Sequence, residues 1–593
     1  MKKKVLECGQ WPTLLALFVL LLLIVACSGT EETTWLNAPG WRRAMLVGNT
    51  LAADPVSVAL DDQGGMSLLF VADEGGAARL HVKHFDRSLA LVWERNVQEA
   101  QRRIMQPQII WDGQRLHLFW IDDSRLYSTT MNAAGNETGA AHLLSAEQTV
   151  DSYDVAIRSS QQVSVWFGGS PREPGVFAVN DAAATIEIVS VDDQGIKPRL
   201  RVDAEGGLHA VWLRHAAGTT SPSFYYAVYA PGQSANQEQP GTLIATARVG
   251  LTSVLEGPSL GVDDEHAYVF WSTEVRTGPQ AGAAETSYVT FPLGRSVGIS
   301  GPQTLTVPAD SNLEYQSDIE SPLQSGPRVL LPAGDSRTVP LDLEANTEPA
   351  SELVVATQVT AAHELRKVAR QSALIYFRDG QPLSYQLLSF TRSGTSLPFV
   401  RSDGEGYLYA TWQEPAAERG YLTYLSSTAP EASATLASVS LNDISRIVTE
   451  LLFGMLSGAV LSPFAGILWL IAPLFVLGIT GFMRRESESG ISIGSAVSLV
   501  LALAAFWFVK TATLPGVRDY VPFSPWIPFI PPWLGVLLQW GVMLLILLVA
   551  LFTAWHFTYR RNAPSALNFM LIYTAVDSVL SMAVYGSIIY GYI

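Results

Sequence analysis

The stretch KPRLRVDAEGGLHAVW, residues 197–212, decides the fold. It contains a short strand, a polar turn with Asp203 and two glycines, and a second strand from Leu208 to Trp212 whose side chains alternate between two faces. Asp favours a turn because it accepts backbone N–H bonds, and Gly because it adopts positive φ. The stretch therefore predicts a β-hairpin that ends in a large aromatic residue.

Three further stretches repeat this hairpin between residues 107 and 412. In every copy an aspartate follows a proline by five residues, and a tryptophan follows the aspartate by eight or nine residues. The three stretches are Pro107–Trp120, Pro258–Trp271 and Pro398–Trp412. The proline is expected at the start of a strand, where its missing N–H costs no ladder hydrogen bond.

Weaker copies of the hairpin fill the gaps, and they close at Phe70, Trp166, near Leu330 and at Phe377. The closing residues are separated by roughly 36 to 60 residues, the length of a four-stranded propeller blade with variable loops. The sequence therefore predicts an all-β propeller of seven or eight four-stranded blades over residues 40–440. A β-sandwich would not repeat one hairpin at this spacing.

The repeat aspartates Asp112, Asp203, Asp263 and Asp403 are predicted to be structural turn residues. A calcium site is the alternative, but the spacing Asp-x-Asp-x-Asp-Gly of a calcium loop does not occur. His117 and His209 take equivalent strand positions, so they belong to the repeat and are not expected to bind a metal ion together. The sequence has no zinc-protease, hydrolase-elbow, phosphate-loop or dinucleotide motif, and no metal site or cofactor is expected.

Charge is distributed very unevenly along the 593 residues. From Leu441 to the end there are seven Lys/Arg and six Asp/Glu; subtraction from the totals of 38 and 54 leaves 31 and 48 in residues 1–440. The first part therefore carries the whole net negative charge, which argues against nucleic acid as a partner and against docking on anionic lipid. A solvated surface explains the charge, with binding of a cationic ligand as the alternative.

The N-terminus resembles an export signal. Three lysines at positions 2–4 precede an apolar run from Leu14 to Val25, and Ile24-Val25-Ala26-Cys27 resembles the lipobox of bacterial lipoproteins. Residues 1–27 are predicted to be a lipoprotein-type signal peptide, with lipidation at Cys27, followed by a tether at 28–39. An uncleaved signal anchor is the alternative.

The last third of the chain predicts a helical membrane domain, residues 464–593. Four segments are apolar and long enough to span a bilayer: 464–482, 491–509, 534–557 and 566–590. Residues 441–463 contain Arg446 and Glu450, and they are predicted to form an interfacial amphipathic helix that ends at Ser462-Pro463; a fifth span is the alternative.

Pairs of arginines predict the orientation of these spans. Arg484-Arg485 and Arg560-Arg561 end the first and third spans, so the positive-inside rule places both loops in the cytoplasm. The propeller and the C-terminus are then extracytoplasmic, on a bacterial cytoplasmic membrane. The proline-rich outer loop 514–533 is predicted to be an ordered cap at the membrane surface, with a substrate gate as the alternative.

Asp577 is the acidic residue well inside a predicted span, and i±4 spacing places it on one helix face with Tyr573 and Ser581. An ionisable group at this depth is costly, which makes Asp577 a candidate intramembrane functional residue. A proton- or ion-coupled role would need a second ionisable side chain as partner, and the predicted spans contain few other ionisable residues. The alternatives are a hydrogen bond that holds helices together and a contact with a partner subunit.

The propeller region resembles the sialidase-like, bacterial-neuraminidase-repeat propellers of exported bacterial proteins, on the proline, aspartate and tryptophan pattern given above. Catalytic members of that family carry an arginine triad, a Tyr–Glu pair, an acid Asp and Asp-boxes of the form Ser-x-Asp-x-Gly-x-x-Trp. Ser402-Asp403-Gly404 has a different Ser–Asp spacing, and Arg102-Arg103 only faintly matches the Arg-Ile-Pro start of the family. The resemblance implies fold and export, and no catalytic residue is assigned from it.

The sequence thus favours a membrane-anchored recognition or assembly module without catalytic activity. Its expected partners are the lipid bilayer and either another membrane protein or a surface glycan. A diverged sialidase-like glycoside hydrolase and an accessory component of a membrane transport complex are the two alternatives. Arginines and a Tyr–Glu pair that converge on the propeller axis would argue for the hydrolase.

Overall fold

The computed structural model divides into two compact units, one built from the residues between 39 and 432 and the other from those between 441 and 590. The described residues are 39–51, 54–74, 77–98, 103–136, 140–158, 162–182, 185–215, 221–233, 241–294, 298–309, 315–317, 319–331, 337–346, 351–364, 367–389, 391, 394–416, 420–432, 441–483, 493–514, 532–559 and 565–590.

The described residues of the first unit form a β-propeller of seven antiparallel blades, which confirms the predicted fold class. Blade 1 comprises β2 (Ser57–Leu60), β3 (Met66–Glu74), β4 (Ala77–Phe85) and β5 (Leu91–Gln98). Blade 2 comprises β6 (Ile104–Trp111), β7 (Arg115–Asp122), β8 (Arg125–Asn132) and β9 (His142–Leu143). Blade 3 comprises β10 (Ser152–Ile157), β11 (Val163–Ser170), β12 (Glu173–Ala182) and β13 (Thr185–Asp192). Blade 4 comprises β14 (Gly195–Val202), β15 (Leu208–His215), β16 (Pro222–Tyr229) and β17 (Thr242–Thr246).

The remaining blades depart from simple chain order. Blade 5 comprises β18 (Ser253–Val262), β19 (His266–Val275), β20 (Ala284–Pro292) and β21 (Gln303–Thr304). A short pair, β22 (Val307–Pro308) and β24 (Arg337–Thr338), follows it. Blade 6 comprises β25 (Leu341–Ala345), β26 (Leu353–Glu364), β27 (Lys367–Arg378) and β28 (Gln381–Leu387), with β23 (Val329–Leu330) on its outer edge. Blade 7 comprises β29 (Ser396–Ser402), β30 (Leu408–Pro415), β31 (Tyr421–Ser427) and the N-terminal strand β1 (Met45–Thr50).

The ring closes in blade 7, where β1 from the start of the propeller pairs with β31 from its end, with Thr50 opposite Tyr421. The first strands of successive blades contact one another around the axis, and the seventh contacts the first. The described residues form seven buried apolar clusters between neighbouring blades, one at each interface including that between blades 7 and 1. Burial of these blade faces is the main stabilising contribution to the unit.

Five of the seven innermost strands share a bulge that bypasses two residues. The first bypassed residue has positive φ, and in four blades a proline follows it; these residues are Gln106, Lys197, Gly257, Asp342 and Leu397. We call the end of the propeller at which the inner strands begin the bulge end, and the opposite end, which carries the repeat aspartates, the turn end.

The prolines of the repeat therefore lie inside the inner strands and not at their starts, as the sequence suggested. A proline is tolerated there because the inner edge of a propeller blade has no neighbouring strand to accept its missing hydrogen bond. Blade 6 also departs from the expected spacing: Phe377 lies in its third strand, and Leu330 lies in the outer strand β23 and does not close a blade. The extra step in the pattern is therefore not an eighth blade.

Within the described residues, the second unit contains four helices, α1 (Leu441–Met483), α2 (Ile493–Thr513), α3 (Pro532–Tyr559) and α4 (Ala566–Tyr590). Each contains a stretch long and apolar enough to cross a membrane, which indicates a membrane protein. Helix α4 packs against the three others, and Trp469, Phe506, Met570 and Tyr573 are among the residues of their common core.

The expected helix end at Ser462-Pro463 is wrong, because α1 continues through Pro463 and Pro473 as one helix. Proline at 463 removes the N–H that would bind the carbonyl of Ala459. The Ser462 hydroxyl donates to that carbonyl over 2.7 Å and satisfies it. Whether the first turns of α1 lie at the membrane interface stays a prediction.

Candidate functional site

The repeat aspartates lie in the turns between the first and second strands of their blades, and they hold these turns together. Asp203 Oδ1 accepts the backbone N–H groups of Glu205 and Gly207, and Asp203 Oδ2 binds His209 Nε2 at 2.8 Å. The equivalent contact in blade 2 joins Asp112 and His117 at 2.7 Å. These bonds lower the pKa of Asp203 and Asp112 although burial acts in the opposite direction.

In blades 5 and 7 a tyrosine takes the place of the histidine. The hydroxyl of Tyr268 donates to Asp263, and that of Tyr409 donates to Asp403 over 3.4 Å. A position that accepts either His or Tyr needs a hydrogen-bond partner for the aspartate and not a metal ligand. Among the described residues, no group of three or more His, Cys, Asp or Glu side chains is arranged to hold a metal ion.

A cavity of about 330 Å³ lies on the propeller axis toward the turn end, lined by the inner strands of blades 1 to 4 and by Arg401 of blade 7. Three arginines from three blades, Arg158, Arg201 and Arg401, face it. Arg201 and Arg401 each precede a repeat aspartate by two residues, so the shared Arg-x-Asp pattern is a sequence signal for this ring that the sequence analysis missed.

The axial arginines are held by the protein itself. Arg201 binds Asp154, Glu344 and the carbonyls of Leu200 and Ala345, and it is almost completely buried. Arg158 donates to three carbonyls of blade 4, and Arg401 Nε donates to the carbonyl of Val58. The carbonyls of Leu200, Ala345 and Val58 lie on inner strands, whose free edges would otherwise leave them without a partner. Those bound by Arg158 lie at the end of β16 and in the turn after it.

The cavity can now be compared with the catalytic site of sialidases, in which arginines occur together with a Tyr–Glu pair. The described residues that line it include no tyrosine and no glutamate. Arginines on the axis were expected to argue for a hydrolase only together with a Tyr–Glu pair, and the lining does not supply that pair. We therefore assign these arginines to the cohesion of the ring.

A second polar region lies at the bulge end, between blades 5 and 6. Glu274 of β19 is buried, and its two oxygens bind Arg276 and Arg370 at 2.8 and 3.1 Å. Arg276 also binds Glu256 of β18 at 2.6 Å, which joins three charged groups of blade 5 to one of blade 6. We call Glu256, Glu274, Arg276, Asp342 and Arg370 the bulge-end cluster.

Asp342 is the member of the bulge-end cluster that the backbone holds in an unusual conformation, with φ of 51°. Gln358 Nε2 donates to Asp342 Oδ2 over 2.6 Å. Burial, a hydrogen bond to the Glu256 carboxyl and the charge of Glu256 raise the pKa of Asp342 to about 7, although Arg370 acts in the opposite direction. Close to neutral pH, the two carboxyl groups can therefore hold one proton between them.

Lys197 lies next to this cluster on the bulge of blade 4. Burial and the neighbouring Arg199 lower its pKa, and Asp151 and Glu256 offset part of this effect. Its ammonium group forms no hydrogen bond with the residues that the structure describes. The bulge end therefore presents charged side chains of blades 4, 5 and 6 on strands whose bulges fix their direction.

Asp577, the candidate from the membrane segment, has a charged partner that the sequence analysis missed. Lys510 Nζ donates to Asp577 Oδ2 and to Ser581 Oγ, both over 2.7 Å, and Lys510 and Asp577 are almost completely buried. Lys510 Nζ also lies 4.6 Å from the ring centre of Trp507. The second span was predicted to end at Val509, whereas α2 continues to Thr513 and includes the lysine.

The Lys510–Asp577 pair satisfies the carboxylate on one side only. Asp577 Oδ1 is buried and has no hydrogen-bond partner among the described residues. The expected grouping of Asp577 with Ser581 and Tyr573 is present: the Ser581 hydroxyl donates to Asp577 Oδ2 over 3.3 Å, and Tyr573, one turn earlier, accepts a hydrogen bond from Trp507. The pair joins α2 to α4, and a functional role for Asp577 stays a prediction.

Several predicted features lie outside the described residues. These are the signal peptide with Cys27, all but the last residue of the tether, the two arginine pairs and nearly all of the proline-rich loop.

No family model matches the chain, and no curated protein matches its sequence. Solved structures with a similar arrangement include a polysaccharide lyase, 10% identical with a TM-score of 0.42, which covers 68% of this chain and 94% of that chain. An ulvan lyase bound to a saccharide is 8% identical with a TM-score of 0.40, and it covers 66% and 96% of the two chains. A mutant Trypanosoma rangeli sialidase is 10% identical with a TM-score of 0.34, and it covers 68% and 61%.

Proposed function

We propose that this chain is a membrane-anchored β-propeller that recognises or assembles with a partner outside the cytoplasm and has no catalytic activity of its own. The observation that carries the proposal is the set of cationic side chains at the bulge end. Lys197 lies in the bulge of the inner strand of blade 4, Arg276 directly follows β19 of blade 5, and Arg370 lies in β27 of blade 6. Charged groups with spare donors on a rigid ring suit recognition.

The proposal includes the orientation and the anchor. The arginine pairs after the first and third spans support cytoplasmic loops at those points, which leaves the propeller on the extracytoplasmic side of a bacterial membrane. Lipidation of Cys27 would supply a second attachment to the same side. Fusion of a reporter that is active only in the periplasm after residue 432, and of one active only in the cytoplasm after residue 485, tests the orientation.

A glycoside hydrolase is less compatible with the carboxyl groups of the bulge-end cluster. Glycosidases hold two carboxyl groups about 5 Å or more apart, on either side of the bond that they cleave. Glu256 and Asp342 are in direct contact, and Glu274 is neutralised by two arginines. We expect no release of fluorophore from fluorogenic glycosides; release that is lost in Glu256→Gln would support the hydrolase instead.

The primary test is affinity purification of the full-length protein from its native membrane in mild detergent, followed by mass spectrometry. A stoichiometric protein partner that is retained by wild type and lost on Arg276→Gln/Arg370→Gln supports the proposal. Arg172→Gln, in an exposed turn of blade 3, is the matched control and should retain the partner. A protein that purifies alone contradicts the assembly function.

A component of a membrane transport complex is the second candidate, and the buried Lys510–Asp577 pair favours it. Buried ion pairs in spans often mark ion or proton pathways. Proteoliposomes with an internal pH-sensitive dye report proton flux, with Asp577→Asn as the variant. Equal flux in wild type and Asp577→Asn would exclude this role for the pair.

A further inference from the structure

We propose that the junction of blades 5 and 6 at the bulge end is a docking strip for an extended segment of a partner protein, in which aliphatic residues flank a carboxylate. The strip consists of Leu251, Val254, Arg276, Val368 and Arg370. The proposal rests on the recognition function proposed above and names its surface and the chemistry of its partner.

The register of the strands and one turn contact place these residues side by side. The backbone N–H of Arg276 donates over 2.9 Å to the carbonyl of Thr252, the residue after Leu251. Val254 of β18 is directly opposite Glu274 of β19, so both side chains lie on one face of blade 5. Glu274 binds Arg370 of β27, and Val368 lies two residues before Arg370 on the same strand and therefore on the same face. Aliphatic and charged side chains thus alternate across the junction.

The aliphatic members of the strip are exposed to an unusual degree. Leu251 is 95% exposed in the turn before β18, Val368 is 63% exposed, and Val254 is 45% exposed. Single exposed apolar residues are common on protein surfaces, but three beside a pair of arginines have the composition of an interaction site.

The charged members of the strip retain donors for a partner. The side chains of Arg276 and Arg370 are 52% and 48% exposed, and each uses one nitrogen, Nη2, for its contacts with Glu256 and Glu274. Their remaining N–H groups form no further hydrogen bond within the described part of the chain. A guanidinium with free donors binds a carboxylate strongly and often with two hydrogen bonds.

The composition of the strip favours a protein segment over a glycan or a lipid surface. Saccharides characteristically pack on aromatic rings, and the strip offers no aromatic ring among its members. An anionic bilayer would be repelled by the net negative charge of residues 1–440. A peptide with Leu, Val or Ile on both sides of Asp or Glu complements both the aliphatic and the cationic groups.

Photo-crosslinking of the full-length protein in its native membrane tests the strip directly. Benzoylphenylalanine replaces Val368 in one variant and Val92, a similarly exposed valine of blade 1, in the matched control. We expect a protein adduct at position 368 but not at 92, and mass spectrometry of the adduct should show a carboxylate between aliphatic residues. Arg276→Gln/Arg370→Gln should reduce its yield about tenfold or more, as expected for loss of charge-assisted hydrogen bonds.

Further variants separate binding from folding. Leu251→Ser changes only an exposed side chain and should lower the yield of the adduct without lowering the denaturation midpoint. Arg370→Glu should abolish the adduct, and replacement of the partner's carboxylate residue by Lys should restore it. Equal adducts at 92 and 368, or an adduct with a saccharide or lipid, would overturn the strip. A partner that purifies with the chain but crosslinks elsewhere leaves the recognition function standing, whereas the absence of any partner in both experiments removes both.

Discussion

Asp342→Asn should make the propeller more stable at alkaline pH while it leaves stability near pH 4 almost unchanged. Asp342 has a pKa of about 7 in the folded protein, against an ordinary value of 3.8. Between these two values the folded protein keeps a proton that the unfolded chain has lost, so the free energy of unfolding falls as pH rises. A difference of about three pH units corresponds to at most about 4 kcal/mol.

Asparagine suits this position for two reasons. Its amide can donate to Glu256 without a titrating proton, and Asn tolerates the left-handed backbone conformation that residue 342 adopts with φ of 51°. The variant therefore retains the hydrogen bond and removes the cost of a second charge next to Glu256 and Glu274. Only the pH-dependent part of the stability should change.

The assay is the denaturation midpoint of the full-length protein in detergent, followed by tryptophan fluorescence between pH 4 and pH 8.5. The matched control is Asp379→Asn, since Asp379 also has positive φ but lies exposed in the turn between β27 and β28. The advantage of Asp342→Asn over wild type should grow from pH 4 to about pH 7 and then level off, while Asp379→Asn follows wild type. A difference that is constant with pH would refute the reasoning.

Substitutions of Lys510, Asp203 and Asp403 give further expectations. Lys510→Met should destabilise the four-helix unit by about 3–5 kcal/mol in detergent denaturation, because it leaves Asp577 charged and buried alone. The double variant Lys510→Met/Asp577→Leu should recover most of this loss. Equal stability of the single variant and wild type would contradict the pairing. Asp203→Ala should lower the free energy of unfolding of the propeller by about 1–3 kcal/mol, because His209 and two backbone N–H groups lose their acceptor. Asp403→Ala, whose tyrosine contact is longer at 3.4 Å, should cost less in the same measurement, and the reverse order would show that the turns are not equivalent.

The fold was predictable because its signal is local. Each hairpin of the repeat combines turn residues, strand alternation and a closing tryptophan within about 15 residues, and four clear copies fixed the blade length. The number of blades needed the structure, since blade 6 has Phe377 in its third strand and β23 on its outer edge. The continuity of α1 through Pro463 was also missed, because it depends on one hydroxyl, that of Ser462, which satisfies the freed carbonyl.

The candidate site was less predictable because its residues come from different blades. Glu256, Glu274, Asp342 and Arg370 are far apart in sequence and share no motif, and their contact follows from strand register across the junction. Lys510 was missed for another reason. A span predicted from hydropathy is ended before its first charged residue, although a charged residue with a buried partner can lie inside a span.

The seam of the ring determines where the propeller can be cut and rejoined. Because β1 completes the same blade as β29, β30 and β31, the two ends of the propeller's chain meet in blade 7, and the ring cannot close during synthesis until Tyr421 has been made. The membrane helices are made next, so their insertion begins only after every blade exists. A circular permutant that joins the two ends and opens the chain between blades 3 and 4 would have all seven blades continuous and no seam strand.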